Sequence, residues 1–447
     1  MTIVEEANTT PHQLGNSTLY NAQSNNDRWL TSYRLSDELQ FTGGGSVATD
    51  AAVLQGLFNR AKATGRKEVI LPGGNIALET TALLTNPDGA TPIRVVGQGE
   101  DRTKFLPTSA SQCMFWIGND ADAVDDANRH RTWFLTFEGF SLAANVSGAV
   151  AQDNTGVGFN LRNTSDITFK NITVRSMRNG WSFGVGAANT NNVVNTYMHN
   201  CGGFSDGPYS GAPSLVPMIR LGSGGVLYID GSPNRWNASG GHDFIGQDNM
   251  AYNWDGLYVY SQHFEHFRKY LIATGKGVVN MDWSGGQMDR ADIFFQAEPQ
   301  CTGASNRNWV IHDTQMLGFP GAGSIGVMTG KGISTATSAI EDITIDNVVF
   351  NGLSDAAVYA AHGEIFVKNC KMTDCAQLGT SAPSGGALIR VGQGMAQIAN
   401  NVGRRSASYP GLAYRNGIQW DGPAMSTRSV GGNRFYNYGN AETIGTM

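Results

Sequence analysis

The downstream two thirds of the chain repeat one theme, an alternating β-rich run that reaches an asparagine and resumes after a corner: DITFKNITVRSM, DITIDNVVFNGL, EIFVKNCKMTDC, AQIANNVGRRS and STRSVGGNRFYN. Asn171, Asn347, Asn369, Asn401 and Asn433 recur at the corner. Asparagine suits such a place because it tolerates left-handed backbone angles and hydrogen-bonds its own turn. Stacked corners also let the amides bond to one another. A spacing of roughly 20 to 35 residues is that of a solenoid, whose coils cannot bury their inner faces without neighbours. The competing reading is a β-sandwich with chance Asn turns. It would leave Asn-Gly or Asp-Gly two-residue loops between antiparallel strands, and these are few.

Length and composition agree with one elongated all-β unit. At 447 residues the chain exceeds a single compact core. Hydrophobic residues reach 40%, charged ones only 15%, and 57 Gly stand against 14 Pro, a balance that favours short strands and tight turns over helices. A net charge of -6 argues against nucleic acid as a partner, since counterion release needs concentrated Lys and Arg. A neutral or mildly acidic glycan is compatible with it. MTIVEEANTT has no secretory pattern and no long apolar run occurs, so the reading is a soluble protein made in the cytoplasm, without membrane insertion. Five scattered cysteines, Cys113, Cys201, Cys301, Cys370 and Cys375, form no metal-spaced cluster and read as buried, reduced thiols.

Residues 1–45 are polar and weakly periodic, with Tyr20, Trp29 and Tyr33 appearing singly, and read as an extension or attachment segment. From Ala48, ATDAAVLQGLFNRAKATG places Ala52, Leu54, Leu57, Phe58 and Ala61 on one helical face, with Asp50 near the N-cap and Gly65 at the stop. KEVILPGGNIAL and IRVVGQGEDRTKFLP then give strand, turn, strand and turn. The solenoid is expected over 46–440, with 441–447 as a short tail.

The TDAAVLQGLFNRA helix, the EVILPGG strand and IRVVGQGEDRTKF together resemble the opening of the pectate-lyase-like superfamily, especially bacteriophage tailspikes and capsule depolymerases. The resemblance covers roughly residues 46–120 as motif and the rest as rung rhythm. It implies a right-handed parallel β-helix with a short N-terminal capping helix, packed as a homotrimer in the virion tail. Such a protein recognises, and often cleaves, a bacterial capsule, lipopolysaccharide or exopolysaccharide. The N-terminal segment would then meet other phage tail proteins. The chain departs from the tailspike pattern in having a short N-terminal extension and in stopping soon after the Asn433 coil, which weakens the trimer expectation.

Glycoside hydrolysis needs two carboxyl groups flanking the scissile bond, one to protonate the leaving oxygen and one to attack or to activate water. Strands one coil apart lie about 4.8 Å from each other, so acids on neighbouring coils approach the roughly 5 Å separation of retaining enzymes. Between Gly240 and Glu298, acids, His and aromatics concentrate. Asp255 and Asp282 stand 27 residues apart, one plausible coil, each beside a Trp. Asp289 and Asp292 resemble the paired Asp of certain hydrolytic tailspikes, and the resemblance gives Glu265 the place of the Glu on a neighbouring coil. In an unbroken strand Asp289 and Asp292 would point to opposite faces, so a corner or bulge must separate them. The bland reading is that these Asp residues cap turns.

Trp236, Tyr252, Trp254, Tyr258, Tyr260, Phe264 and Trp283 offer faces for sugar stacking, with His242 at the same site, although strand alternation sends about half of such rings inward. His242, His263 and His266 with Arg268 and Lys269 suggest β-elimination from a uronic acid as a second chemistry, or a decorated loop. No nucleophile elbow, P-loop or dinucleotide fingerprint occurs, and no cofactor or metal is expected. Hydrolase, lyase and a non-catalytic receptor-binding spike remain open at this stage.

Overall fold

The computed structural model describes residues 32–34, 50–86, 91–109, 111–118, 131–143, 156–177, 179–185, 192–204, 217–231, 236–238, 242–247, 253–260, 263–273, 275–298, 305–318, 324–330, 339–378, 386–406, 416–421, 428–436 and 440–444. Every strand pairing among them is parallel, each strand lying beside its counterpart one coil away. Parallel neighbours require crossovers rather than hairpins, and successive crossovers of one hand wind a helix. The chain is a right-handed parallel β-helix with an N-terminal helix.

Three sheets run along it. In the middle of the chain one coil passes through Asp243–Gln247, Trp254–Tyr260 and His263–Glu265. The next passes through Lys269–Ala273, Val278–Ser284 and Gln287–Asp289, and the one after through Ile293–Ala297, Ser305–His312 and Gln315–Leu317. In that order these strands belong to the first, second and third sheets. The first sheet continues as far as Asn440–Ile444, paired with Asn416–Trp420, so the coil extends beyond residue 440, where the sequence suggested a tail.

The asparagine corners lie between the second and third sheets, and here the structure refines the sequence reading. Asn171, Asn347 and Asn369 hold φ values of 50°, 53° and 56°, and Asn200, Asp313 and Asn400 occupy the same corner with φ of 52°, 50° and 57°. Asn200 donates to Asn171 at 2.5 Å and Asn347 to Asp313 at 2.6 Å, so side chains bridge successive coils. Asn401 and Asn433 sit one residue further on. Asn401, wholly buried, accepts from the Cys370 amide at 2.9 Å and donates to Val367 O and Asn433 Oδ1, both at 3.0 Å. The tandem Asn400-Asn401 therefore divides the two tasks: the first residue bends the chain and the second fills the inner corner.

A second left-handed column, not legible from the motifs, bends strands of the second sheet. It includes Asp166, Asn195, Val226, Gly256, Asn280, Asn308 and Asp342, with φ between 51° and 91°. The bend resets the alternation, so that in Trp254–Tyr260 the side chains of Trp254, Leu257 and Val259 go inward while Asp255, Tyr258 and Tyr260 stay outward. Inside, rings follow one another down the axis: Phe159–Trp181 at 6.1 Å, Trp181–Trp236 at 5.5 Å, Trp236–Phe244 at 4.8 Å, Phe244–Phe264 at 4.7 Å, Phe264–Trp283 at 5.4 Å and Trp283–Phe295 at 4.9 Å. Each buried ring removes on the order of 150–250 Å² from water and dominates the stability of its coil.

The helix Asp50–Ala63 packs on the strands Glu68–Ile70, Gly74–Leu78 and Ala82–Leu84. Its inner face is Ala51, Leu54, Leu57, Phe58 and Ala61. Ala52, assigned to that face from the sequence, is exposed. Gly65, with φ of 69°, ends the helix as expected. Ser32–Arg34 adds a strand beside Glu68–Ile70, while Tyr20, Trp29 and Cys301 lie outside the described residues. Cys113, Cys201, Cys370 and Cys375 are free, the last three buried. No helix among the described residues is long and apolar enough to cross a membrane.

Candidate functional site

Glu265 and Asp289 end consecutive strands of the third sheet and are direct partners in register. Both point outward and are half-buried, with the inward Phe264 and Met288 beneath them. Asn237, one coil earlier and in register with Glu265, donates from Nδ2 to Glu265 Oε2 at 2.8 Å. His263 Nε2 lies 3.5 Å from Glu265 Oε1. Tyr270, buried below, donates to the Asp289 carbonyl at 2.6 Å and receives the Asp289 amide at 2.8 Å, which fixes the end of that strand. Burial first, and then the charges of Asp289 and Glu265, hold the Tyr270 phenol protonated.

The corner required between Asp289 and Asp292 exists at Arg290, whose φ is 60°. Beyond it Asp292 is drawn into a different set of charges. Its amide donates to the Arg268 carbonyl at 2.9 Å, and burial raises its carboxyl pKa against the opposing charges of Arg268 and Lys269. Arg268 grips the buried Asp243 with Nε at 3.0 Å and a second guanidinium nitrogen at 2.7 Å. Burial raises the Asp243 pKa in spite of that grip. Lys269 donates to Gln296 at 2.8 Å. The two cations of the elimination reading are thus engaged by the protein's own side chains. His242 is buried and lends its carbonyl to the Arg268 amide, and His266 is the left-handed residue of its corner.

Asp255 and Asp282 do lie on adjacent coils of the second sheet, but out of register. Asp255 faces Val279 and Asp282 faces Tyr258. The coil from Asp255 to its register partner Val279 is 24 residues, three shorter than the 27 that separate the two Asp. Asn280 donates to Asp255 at 2.7 Å and receives Asn308 at 2.8 Å. Asp282 Oδ1 meets His312 Nε2 at 3.0 Å, its Oδ2 lies 3.4 Å from the Tyr260 hydroxyl, and His312 Nδ1 meets Asp313 at 2.7 Å. Burial opposes protonation of His312, yet its bonds to Asp313 and Asp282 prevail and raise its pKa. Burial, then Asp282, pushes the Tyr260 phenol up to about 12.

The aromatic expectations divide sharply. Trp236, Trp254 and Trp283 are completely buried, with Trp254 Nε1 donating to the Gly256 carbonyl at 3.0 Å, so none presents a face to a sugar. They occupy inward positions in their strands and belong to the axial ring stack. Phe264 does the same. Tyr252 lies outside the described residues. Tyr258 and Tyr260 stand outside on the second sheet, and there the sequence reading missed their companions. Tyr197, Tyr228 and Tyr258 are in register on three successive coils, with ring centroids 5.1 and 4.7 Å apart and planes within 1° and 15°. The signal was present as TYMH, LYID and LYVY at spacings of 31 and 30 residues. His312 and Asp313 were missed because they lie beyond Glu298, where acids and aromatics stop clustering.

No family model matches the chain, and no curated protein does. Solved structures do. The tailspike of the Escherichia coli bacteriophage HK620 in complex with a pentasaccharide superposes with a TM-score of 0.52 at 11% identity, covering 91% of this chain and 79% of the tailspike. This chain shares the right-handed parallel β-helix fold of that tailspike. The N-terminal fragment of the bacteriophage Phi29 gene product 12 matches at 0.50 with 12% identity, covering 96% and 74%, and the Agl-KA catalytic domain at 0.53 with 15%, covering 93% and 68%. At these identities the likeness is one of fold, and the chemistry rests on the β-helix's own side chains.

Proposed function

We propose that this β-helix binds a bacterial surface polysaccharide and hydrolyses it, with Glu265 and Asp289 as the working carboxyl pair. The observation that carries the reading is their direct register on adjacent coils, both outward and open to a ligand. Adjacent strands lie about 4.8 Å apart, close to the roughly 5 Å that a retaining mechanism uses. Glu265, held by Asn237, attacks the anomeric carbon. Asp289 gives its proton to the leaving oxygen and then takes one from the water that releases the glycosyl intermediate. Asp292, kept more readily protonated by burial, stands across the Arg290 corner as a positioning group.

The elimination alternative loses support because Arg268 and Lys269 already serve Asp243 and Gln296. The reading further takes the protein to be a spike of a phage tail, a homotrimer attached through its N-terminal segment. Two of the fold neighbours are phage proteins, one of them bound to an oligosaccharide.

The test uses Glu265→Gln and Asp289→Asn against a panel of capsules, lipopolysaccharides and exopolysaccharides. Each variant is expected to lose on the order of 10²–10⁴-fold in cleavage rate while still binding the glycan. Full activity in both would remove the pair from the mechanism. Glycan binding without shortening by the parent protein would make it a receptor-binding spike.

A further inference from the structure

The outer face of the second sheet carries a feature that the carboxyl pair does not use. Tyr197, Tyr228 and Tyr258 stack ring on ring along the helix axis, and Tyr260 lies 6.5 Å from Tyr258. Because the rings cover one another's faces, the stack offers solvent its edges and hydroxyls. Among the described residues, the hydroxyls of Tyr197, Tyr228 and Tyr258 make no hydrogen bond within the protein. Burial raises the pKa of Tyr197 and Tyr258, with Tyr228 adding to both, so these phenols remain protonated and can donate as well as accept.

The strands that carry the row are acidic, while Lys170 and Arg307 stand on the flanking coils. The four strands Val193–His199, Gly224–Asp230, Trp254–Tyr260 and Val278–Ser284 hold Asp230, Asp255 and Asp282 and no Lys or Arg. His199 is closed onto Asp230 at 2.6 Å. The stack ends against Asp282, which faces Tyr258 in register. A uronate or sulfate laid along the row would meet Asp230, Asp255 and Asp282 with no Lys or Arg on the same strands, whereas hydroxyl or amino groups would find partners at each coil.

We infer that the Tyr197–Tyr228–Tyr258 row is a glycan-binding platform for a non-acidic polysaccharide, neutral or amine-bearing, lying along the helix axis across successive coils. It rests on the reading of the protein as a glycan binder, but not on the Glu265–Asp289 chemistry.

The experiment measures equilibrium binding of the full chain, in the Glu265→Gln background so that no ligand is consumed, to size-matched bacterial oligosaccharides of three kinds: neutral, amine-bearing and uronate-bearing. Tyr228→Ala and Tyr228→Phe are compared, with thermal melting as the control for folding. Neutral or amine-bearing oligomers are expected to bind and uronates not. Tyr228→Ala should weaken binding about tenfold, and Tyr228→Phe several-fold, as the loss of one hydrogen bond predicts. Tighter binding of uronates, no binding to any class, or unchanged affinity in a folded Tyr228→Ala overturns the inference. Cleavage that persists while these binding results fail leaves the hydrolytic reading standing. Tyrosine-dependent binding without any cleavage leaves the platform standing alone.

Discussion

Replacing Asn401 by alanine tests whether the inner-corner ladder holds the coils together, and its cost follows from the bonds it removes. The Cys370 amide donates to Asn401 Oδ1 at 2.9 Å, and loses its partner in a fully buried place. An orphaned buried donor costs about 1–3 kcal/mol. The bonds from Asn401 Nδ2 to Val367 O and Asn433 Oδ1, both 3.0 Å, contribute about 1 kcal/mol each. The sum is about 3–5 kcal/mol. In a solenoid this loss falls on neighbouring coils rather than on the whole chain, so residues 356–436 should open first. Hydrogen exchange of the Cys370 amide and its neighbours reads the effect directly, with urea unfolding as the global measure. A loss below about 1 kcal/mol, or protection lowered evenly along the helix, would refute the claim that this side chain clamps its coils.

Trp283→Ala should destabilise the protein by about 3–5 kcal/mol in chemical unfolding without changing glycan affinity, because the ring is core and not platform. His312 carries a pKa raised above its ordinary 6.5, so the stabilisation from its pairing with Asp282 and Asp313 is fully present below about 6.5 and is lost as pH rises through the raised value. A proton resonance titration of His312 should give a midpoint above 6.5, moving down in Asp282→Asn. The Cys370 and Cys375 thiols, pushed up to about 12 by burial, should resist a thiol reagent at neutral pH in the native protein and react once it is unfolded.

The solenoid was legible because its signals are local and repeated. Alternating runs identify strands, and Asn171, Asn347 and Asn369 mark corners that L-residues otherwise avoid. Register was not legible, because coil length varies with the loops. Asp255 and Asp282, 27 residues apart, miss one another, whereas Glu265 and Asp289, 24 apart, face each other. The tryptophans were misread for a related reason. Composition shows that Trp236, Trp254 and Trp283 lie near acids, but only strand phase shows that they point inward, and the left-handed residues Gly256 and Asn280 shift that phase. The tyrosine row was readable in principle once the coil period was applied to the outward positions as well as to the corners.

The central claim, hydrolysis at the Glu265–Asp289 pair, is met most directly by digesting a polysaccharide that the protein binds in oxygen-labelled water and weighing the fragments. Fragments one water heavier than the repeat are expected, with one labelled oxygen at each new reducing end, and none of them in Glu265→Gln or Asp289→Asn. Unsaturated fragments without label would place elimination at the site instead, and shortening by both variants at the parent rate would place the reaction elsewhere on the helix.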